Sequence, residues 1–313
     1  MSRIRLAAAQ IAPVFQNTGE TVKKICATIA DAQTQNINLV GFPEAILPGY
    51  PYWTLFLDPL SGRHFSEELH RQAITIPGPE TKAIGEACAS AGVMAVIGAT
   101  EKIGASLYNS QIFFGADGTL LGRRRKLMAT MHEKLVWSHG DGSDLPVFTT
   151  PLGRVGGLIC FEHSNALYRY SLQGCNEQIH VACWPGGLPG MAPIVDAAGR
   201  SYGFEGQCFV VTATSLMTEA ILEHLGEGGT LAALEPGLGH SAITGPGATS
   251  LAEATPDFEG LLTAEVDLEE LVGAKLMADS AGHYARPDVV RLQIDRRPKE
   301  VIENIDLDAD AEA

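Results

Sequence analysis

Apolar residues recur along this chain in two rhythms, and the alternation between them predicts its elements. Short runs rich in Val, Ile, Leu and Ala read as buried strands; longer stretches with apolar residues three and four apart read as amphipathic helices. Residues 3–10 form a first strand, and a helix follows over 18–34, opened by Asn17 with Glu20 three residues on, as in a capping box. A second strand, 37–42, ends at Pro43-Glu44, and the Pro- and aromatic-rich loop 47–53 then reads as a lid or pocket wall. Helices are expected over 65–73 and 79–91, the second starting at Pro79 and stopped by Gly92, before a third strand at 93–98. Strands 107–114 and 119–125 flank Ala116-Asp-Gly118, a strong hairpin signal. Strand 154–160, helix 165–174, strand 179–184, helix 193–205 and strand 208–214 continue the alternation. Residues 241–251 and 260–266 read as an antiparallel pair, and helix 268–278 precedes a polar tail. Alternation with intervening hairpins implies an α/β fold with one mixed sheet, or two, covered by helices.

Composition narrows the class. Length alone would allow about two domains, yet no linker divides the 313 residues. A single domain over 1–298 is expected, with 299–313 an acidic tail, partly disordered. The formal charge of −15 argues against a nucleic-acid partner, whose phosphates need a positive surface. The cluster Arg123-Arg-Arg-Lys126 is too small to reverse that, and part of it reads as a solvated strand edge. The N-terminus is basic and then apolar, but Gln10 interrupts it, so a strand is preferred to a leader. No run reaches the ~18 apolar residues of a membrane span, and a cytoplasmic location is expected. Six scattered cysteines without a C-x-x-C pair read as reduced thiols; Cys26, Cys88 and Cys208 read as small buried hydrophobes.

Cys160 differs in its neighbours. It ends the run Arg154-Val-Gly-Gly-Leu-Ile-Cys160 and precedes Phe161, Glu162 and His163, at the strand end where parallel α/β sheets place their chemistry. Glu44 and Lys126 also follow strand-like segments, so three strand ends could deliver a thiol, a carboxylate and an ammonium to one cleft. A free thiol has a pKa of ~8.5 and needs help: the carboxylate can take its proton, and the ammonium can stabilise charge on the electrophile. Taken singly, Glu44 reads more readily as a surface loop acid and Lys126 as one more solvated cation. Together they suit attack on carbon bound to nitrogen, and neither an organic cofactor nor a metal is expected. The spacings Cys160-x-x-His163 and His180-x-x-Cys183 imitate a zinc pattern, but positions three apart on a strand face opposite ways. His163 could instead serve as the base of a Cys–His dyad or sit hydrogen-bonded in the pocket wall. No G-x-S-x-G elbow is present. Among Tyr50, Tyr52, Trp53, Trp137 and Trp184, which read equally as packing, Tyr52 and Trp184 are the chosen substrate contacts.

The chain resembles the nitrilase branch of the carbon–nitrogen hydrolase superfamily. The resemblance rests on Phe42-Pro-Glu44 through Pro48-Gly-Tyr-Pro-Tyr-Trp53, Arg125-Lys126-Leu127 with Glu133, Gly156-Gly-Leu-Ile-Cys160-Phe-Glu-His163, Glu177-Gln-Ile-His180 with Trp184-Pro185, and Gly282-His-Tyr-Ala-Arg-Pro-Asp288, in order along nearly the whole chain. It implies Cys160 as nucleophile, Glu44 as general base, Lys126 as stabiliser of the tetrahedral intermediate and Glu133 as a second, positioning glutamate. It implies a four-layer α-β-β-α sandwich, a homodimer or higher homo-oligomer, spirals included, and a small-molecule nitrile as substrate. The alternatives are a cyanide hydratase or dihydratase and an amidase of the same superfamily. Candidate substrate-binding residues are Tyr52, His163, Trp184 and Phe161, the last offering its backbone N–H to developing charge. The chain departs from the pattern at Phe161, where Trp is common, at Leu127-Met-Ala-Thr-Met-His132, and in the glycine-rich segment Gly186 to Pro193.

Overall fold

Leu6 and Ala8 point to one side of the first strand and Ala7 and Ala9 to the other, and all four are fully buried. A strand apolar on both faces must lie in a sheet covered on both sides. The computed structural model, which describes residues 3–226 and 233–299, has that arrangement. The first half of the chain contributes β1 (Arg3–Gln10), α1 (Thr18–Thr34), β2 (Leu39–Gly41), α2 (Arg63–Gln72), α3 (Pro79–Ala91), β3 (Met94–Ile103), β4 (Ser106–Phe114) and β5 (Leu120–Arg125). The second contributes β6 (Phe148–Thr150), β7 (Gly153–Ile159), α4 (Ala166–Gln173), β8 (Ile179–Trp184), α5 (Ala192–Gly206), β9 (Phe209–Thr214), α6 (Glu219–Leu225), β10 (Ala242–Thr244), β11 (Ser250–Glu253), β12 (Gly260–Asp267) and α7 (Glu270–Met277).

Two six-stranded mixed sheets result, ordered β12-β1-β2-β3-β4-β5 and β11-β10-β9-β8-β7-β6. In each, three central strands run parallel and the flanking strands antiparallel. Leu6, Val96 and Phe113 of one sheet meet Val155, Val181 and Val211 of the other in the central core. The outer face of the first sheet is covered by Ile25 and Ile29 of α1 and Ile84 of α3, and that of the second by Leu172 of α4 and Val195 and Tyr202 of α5. Each fully buried Val, Leu or Ile stabilises by roughly 1.5–3 kcal/mol against leaving it in water. The layers are therefore α-β-β-α, as the resemblance implied.

Local signals hold where expected. The Asn17 side chain accepts from the Glu20 N–H at 3.1 Å, and Gly92 ends α3 at a φ of +67°. One expected pairing is corrected. Residues 241–251 and 260–266 do not pair with each other: β10 pairs with β9 and β11 in the second sheet, while β12 pairs with β1 along its whole length in the first. Partners some 250 positions apart leave no local mark in the sequence. β3 also runs to Ile103, past the expected end at 98, because Glu101 is buried against Arg125 and Ser110. The acidic tail from residue 300 on lies outside the described residues. Among the described residues no helix is long and apolar enough to cross a membrane.

Candidate active site

Glu44 follows β2 and Lys126 follows β5, both in the first sheet, while Cys160 follows β7 in the second. The site therefore lies where the two sheets meet. Lys126 continues β5 through its N–H to the Asn109 carbonyl at 2.7 Å, and the Glu44 N–H reaches the Trp184 carbonyl of the opposite sheet at 3.3 Å. The Glu44 turn presses so closely on β3 that a Cβ at Gly98 would lie 2.2 Å from the Pro43 carbonyl oxygen. Glycine is the residue that leaves the turn this room. Cys160 opens a short 3₁₀ turn, Cys160–Ser164, with a φ of +53°, a left-handed conformation that a side chain rarely adopts.

The predicted set converges. The Lys126 ammonium donates to Glu44 Oε1 at 2.8 Å and to Glu133 Oε1 and Oε2 at 2.9 and 2.7 Å. An oxygen of Glu44, an oxygen of Glu133 and the Cys160 sulfur all lie within 4.8 Å of one another. None of the four side chains' residues is more than 2% exposed. Those three atoms are also the one cluster of metal-ligating type among the described residues, but Lys126 already holds hydrogen-bonding positions on both carboxylates. Glu133 is fixed further by the Tyr50 hydroxyl at 2.8 Å and the Thr130 N–H at 2.8 Å. Glu44 Oε1 also accepts from Asn109 Nδ2 at 2.7 Å, whereas Glu44 Oε2, though buried, has no partner among the described residues.

Burial pushes the Glu44 carboxyl up to about 7, opposed by the Lys126 charge and aided by that of Glu133. Burial also raises the Cys160 thiol well above its usual range, with Glu44 adding to the rise; Lys126 and the Phe161 N–H work the other way. Burial alone would lower Lys126, yet the charges of Glu44, Cys160 and Glu133 outweigh it and hold the ammonium. The resting site thus pairs a protonated thiol with a carboxyl that titrates near neutrality and has one oxygen free. That combination suits proton removal from sulfur at the moment of attack, with an adjacent cation for the charge that develops.

The proposed substrate contacts are placed as follows. Tyr52 is buried with its hydroxyl on the Gly186 carbonyl at 2.8 Å. Phe161 is half-buried and meets Trp184 edge-on, 5.8 Å between ring centres; the buried Trp184 Nε1 has no partner among the described residues. His163 stacks on Trp184, and both its ring nitrogens are engaged, with the Cys160 carbonyl and with His180, so it offers a substrate no free nitrogen. Trp53 stacks on Phe65 as packing. The four residues of the zinc-like spacing do not converge: His163 meets His180, while Cys183 faces the central core and accepts from Gln111 at 2.9 Å.

Sequence reasoning missed the supports. Arg124, read within a solvated strand edge, is fully buried and binds Glu162 through two nitrogens at 2.6 and 2.7 Å. Glu162 also accepts from the N–H of Ile159 and from that of Leu127, both at 2.8 Å. One carboxylate therefore joins the residue before Cys160 to the residue after Lys126. The available signal was the period of two along β5, which puts Arg124 and Lys126 on one face and Arg123 and Arg125 on the other.

Comparison with known proteins identifies the family. The carbon-nitrogen hydrolase family matches residues 5–275. A nitrilase of Paraburkholderia phymatum is 37% identical over 94% of this chain and 87% of its own length. An aliphatic nitrilase of Rhodococcus rhodochrous is 38% identical over 94% of this chain and 83% of its own. In fold, the C. elegans NitFhit protein superposes with a TM-score of 0.77 at 17% identity, covering 96% of this chain and 69% of that one. Buried thiol, carboxylates and ammonium at adjoining strand ends thus sit in a chain that belongs to the carbon–nitrogen hydrolase family, among its nitrilase relatives.

Proposed function

We propose that the protein is a nitrilase, hydrolysing an organic nitrile to the carboxylic acid and ammonia through a covalent intermediate on Cys160. The observation that carries this reading is the gathering of the Cys160 sulfur, the Lys126 ammonium and Glu44, whose buried Oε2 has no partner among the described residues, in one cluster. Glu44 takes the thiol proton as sulfur adds to the nitrile carbon, and that proton passes to nitrogen, giving a thioimidate. Water activated by Glu44 adds to it, and the tetrahedral species loses ammonia to leave a thioester. A second water releases the acid and restores the thiol, so one nitrile consumes two waters. Lys126 and the Phe161 N–H stabilise the negative charge of each addition, and Glu133 holds Lys126. Tyr52, Phe161 and Trp184 form the walls around the bound substrate.

Six unpaired thiols suit a reducing, cytoplasmic setting. Exposed Leu167, Tyr284, Val289 and Val290 line a cavity of about 620 Å³ beside α4, and Phe204 of α5 is exposed as well. These apolar groups support pairing with a second copy; light scattering of the purified protein tests this. The decisive assay measures ammonia from a nitrile panel, an amide panel and cyanide. Release from organic nitriles is expected, with Cys160→Ala lowering it by at least on the order of 10⁴-fold while the fold survives. Release from amides alone, or from cyanide alone, would overturn the reading.

A further inference from the structure

Behind the nucleophile, on the side away from Glu44 and Lys126, lies a second chain of buried polar groups that the reaction above does not use. The Tyr202 hydroxyl of α5 donates to Glu177 Oε2; Glu177 Oε1 meets His180 Nδ1 at 2.9 Å; His180 Nε2 meets His163 Nε2 at 2.9 Å; and His163 Nδ1 meets the Cys160 carbonyl oxygen at 2.7 Å. All five residues are buried, and the His180 ring stacks on Tyr202 with centres 3.6 Å apart. The backbone makes room for it: a Cβ at Gly156 would lie 2.3 Å from Glu177 Oε1.

The direction of every bond follows from its far end. A carbonyl oxygen can only accept, so His163 Nδ1 carries hydrogen and its Nε2 offers a lone pair. Burial, with His180 next, holds His163 well below the usual imidazole range, consistent with a neutral ring. His180 Nε2 must then donate, and one proton lies between His180 Nδ1 and Glu177 Oε1. The charged and titratable groups facing His163 are Cys160, His180, Arg124 of β5, Arg169 of α4, whose guanidinium also donates to the His163 carbonyl and binds Glu205, and Tyr202.

The end point gives the chain its meaning. The Cys160 carbonyl and the Phe161 N–H are two ends of one rigid peptide unit, and that N–H works against burial to lower the Cys160 thiol's titration. Donation to the carbonyl fixes the plane of a peptide that follows a left-handed residue, and it polarises the N–H at the opposite end; in such chains each bond strengthens the next by perhaps ~10–30%. We infer that Glu177, His180 and His163 are positioning residues that orient and polarise the Cys160–Phe161 peptide, so that its N–H supports the thiolate and the charge formed on substrate. This rests on the reading of Cys160 as nucleophile.

Three variants test it. His163→Leu removes the donor; His163→Asn places an amide N–H where Nδ1 was, keeping the first bond while cutting the rest; Glu177→Gln keeps every hydrogen bond but removes the shared proton. The measurements are kcat and KM on a nitrile, melting temperature, and the pH profile of Cys160 alkylation by iodoacetamide. His163→Leu is expected to lose on the order of 10- to 100-fold in kcat with KM changed less than about threefold, and its alkylation midpoint moves to higher pH. His163→Asn recovers part of both, remaining about three- to tenfold below the wild type in kcat, and Glu177→Gln, melting near the wild type, loses about three- to tenfold in kcat. The inference is overturned if His163→Leu lowers only the melting temperature, or if His163→Asn is no better than His163→Leu. Should the leucine variant not fold, a wild-type kcat and alkylation midpoint in Glu177→Gln overturns it as well. Failure of the nucleophile reading looks different: Cys160→Ala would then stay active.

Discussion

Glu162 and Glu44 are both buried carboxylates, each beside one buried cation, Arg124 and Lys126 respectively, and their hydrogen bonds set them apart. Glu162 accepts four: two from Arg124, one from the Ile159 N–H and one from the Leu127 N–H. Glu44 accepts two, both on Oε1, and among the described residues Oε2 has no partner. A saturated carboxylate has no lone pair left to take a proton, and the structure pins backbone with it. An unsaturated one carries the cost of desolvation without full compensation, and burial has lifted its titration to about 7. In this molecule, incomplete satisfaction marks the carboxylate proposed as base and complete satisfaction marks the support.

Exchanging each for its amide separates these roles. Glu44→Gln is expected to cut kcat/KM by about 10²- to 10⁴-fold, the usual range for a lost general base, while its denaturation midpoint stays near that of the wild type. Loss of fold in place of loss of rate would erase the contrast. Glu162→Gln leaves Arg124 without a counter-charge and should destabilise by about 3–5 kcal/mol in urea unfolding; a wild-type midpoint would show that the four bonds do not hold the strands. The finest test concerns pH. A general base at Glu44 acts in its ionised form, so on the proposed role kcat/KM should fall as pH drops below about 7. The Asn109 bond favours the ionised form, so Asn109→Ala raises the Glu44 value further and shifts this acid limb to higher pH, by less than about one unit. A limb that moves down, or stays, contradicts Glu44 as the group observed.

The convergence of Cys160, Glu44 and Lys126 was legible in the sequence because each follows an apolar run, and strand ends leave a local trace. The layered fold was legible for the same reason, through alternation and the caps at Asn17 and Gly92. What stayed hidden depends on distant partners. β12 pairs with β1 across most of the chain, so its sheet could not be read from its own residues. Arg124 looked like one more surface cation until Glu162 covered it. His180 lay inside what read as an apolar strand, and only Glu177, Tyr202 and His163 together make it part of a polar chain. Helix α6 went unrecognised, its seven residues being too few to establish a period.

The reach of Glu162 has one more effect. Ile159 belongs to one sheet and Leu127 follows a strand of the other, so this single side chain acts as a gauge block between two slabs. The gap it spans is filled by Val96, Phe113, Val181 and Val211. Trimming those side chains would let the slabs settle, and the first symptom would be slower turnover from a misplaced ammonium and sulfur, well before the protein lost its fold.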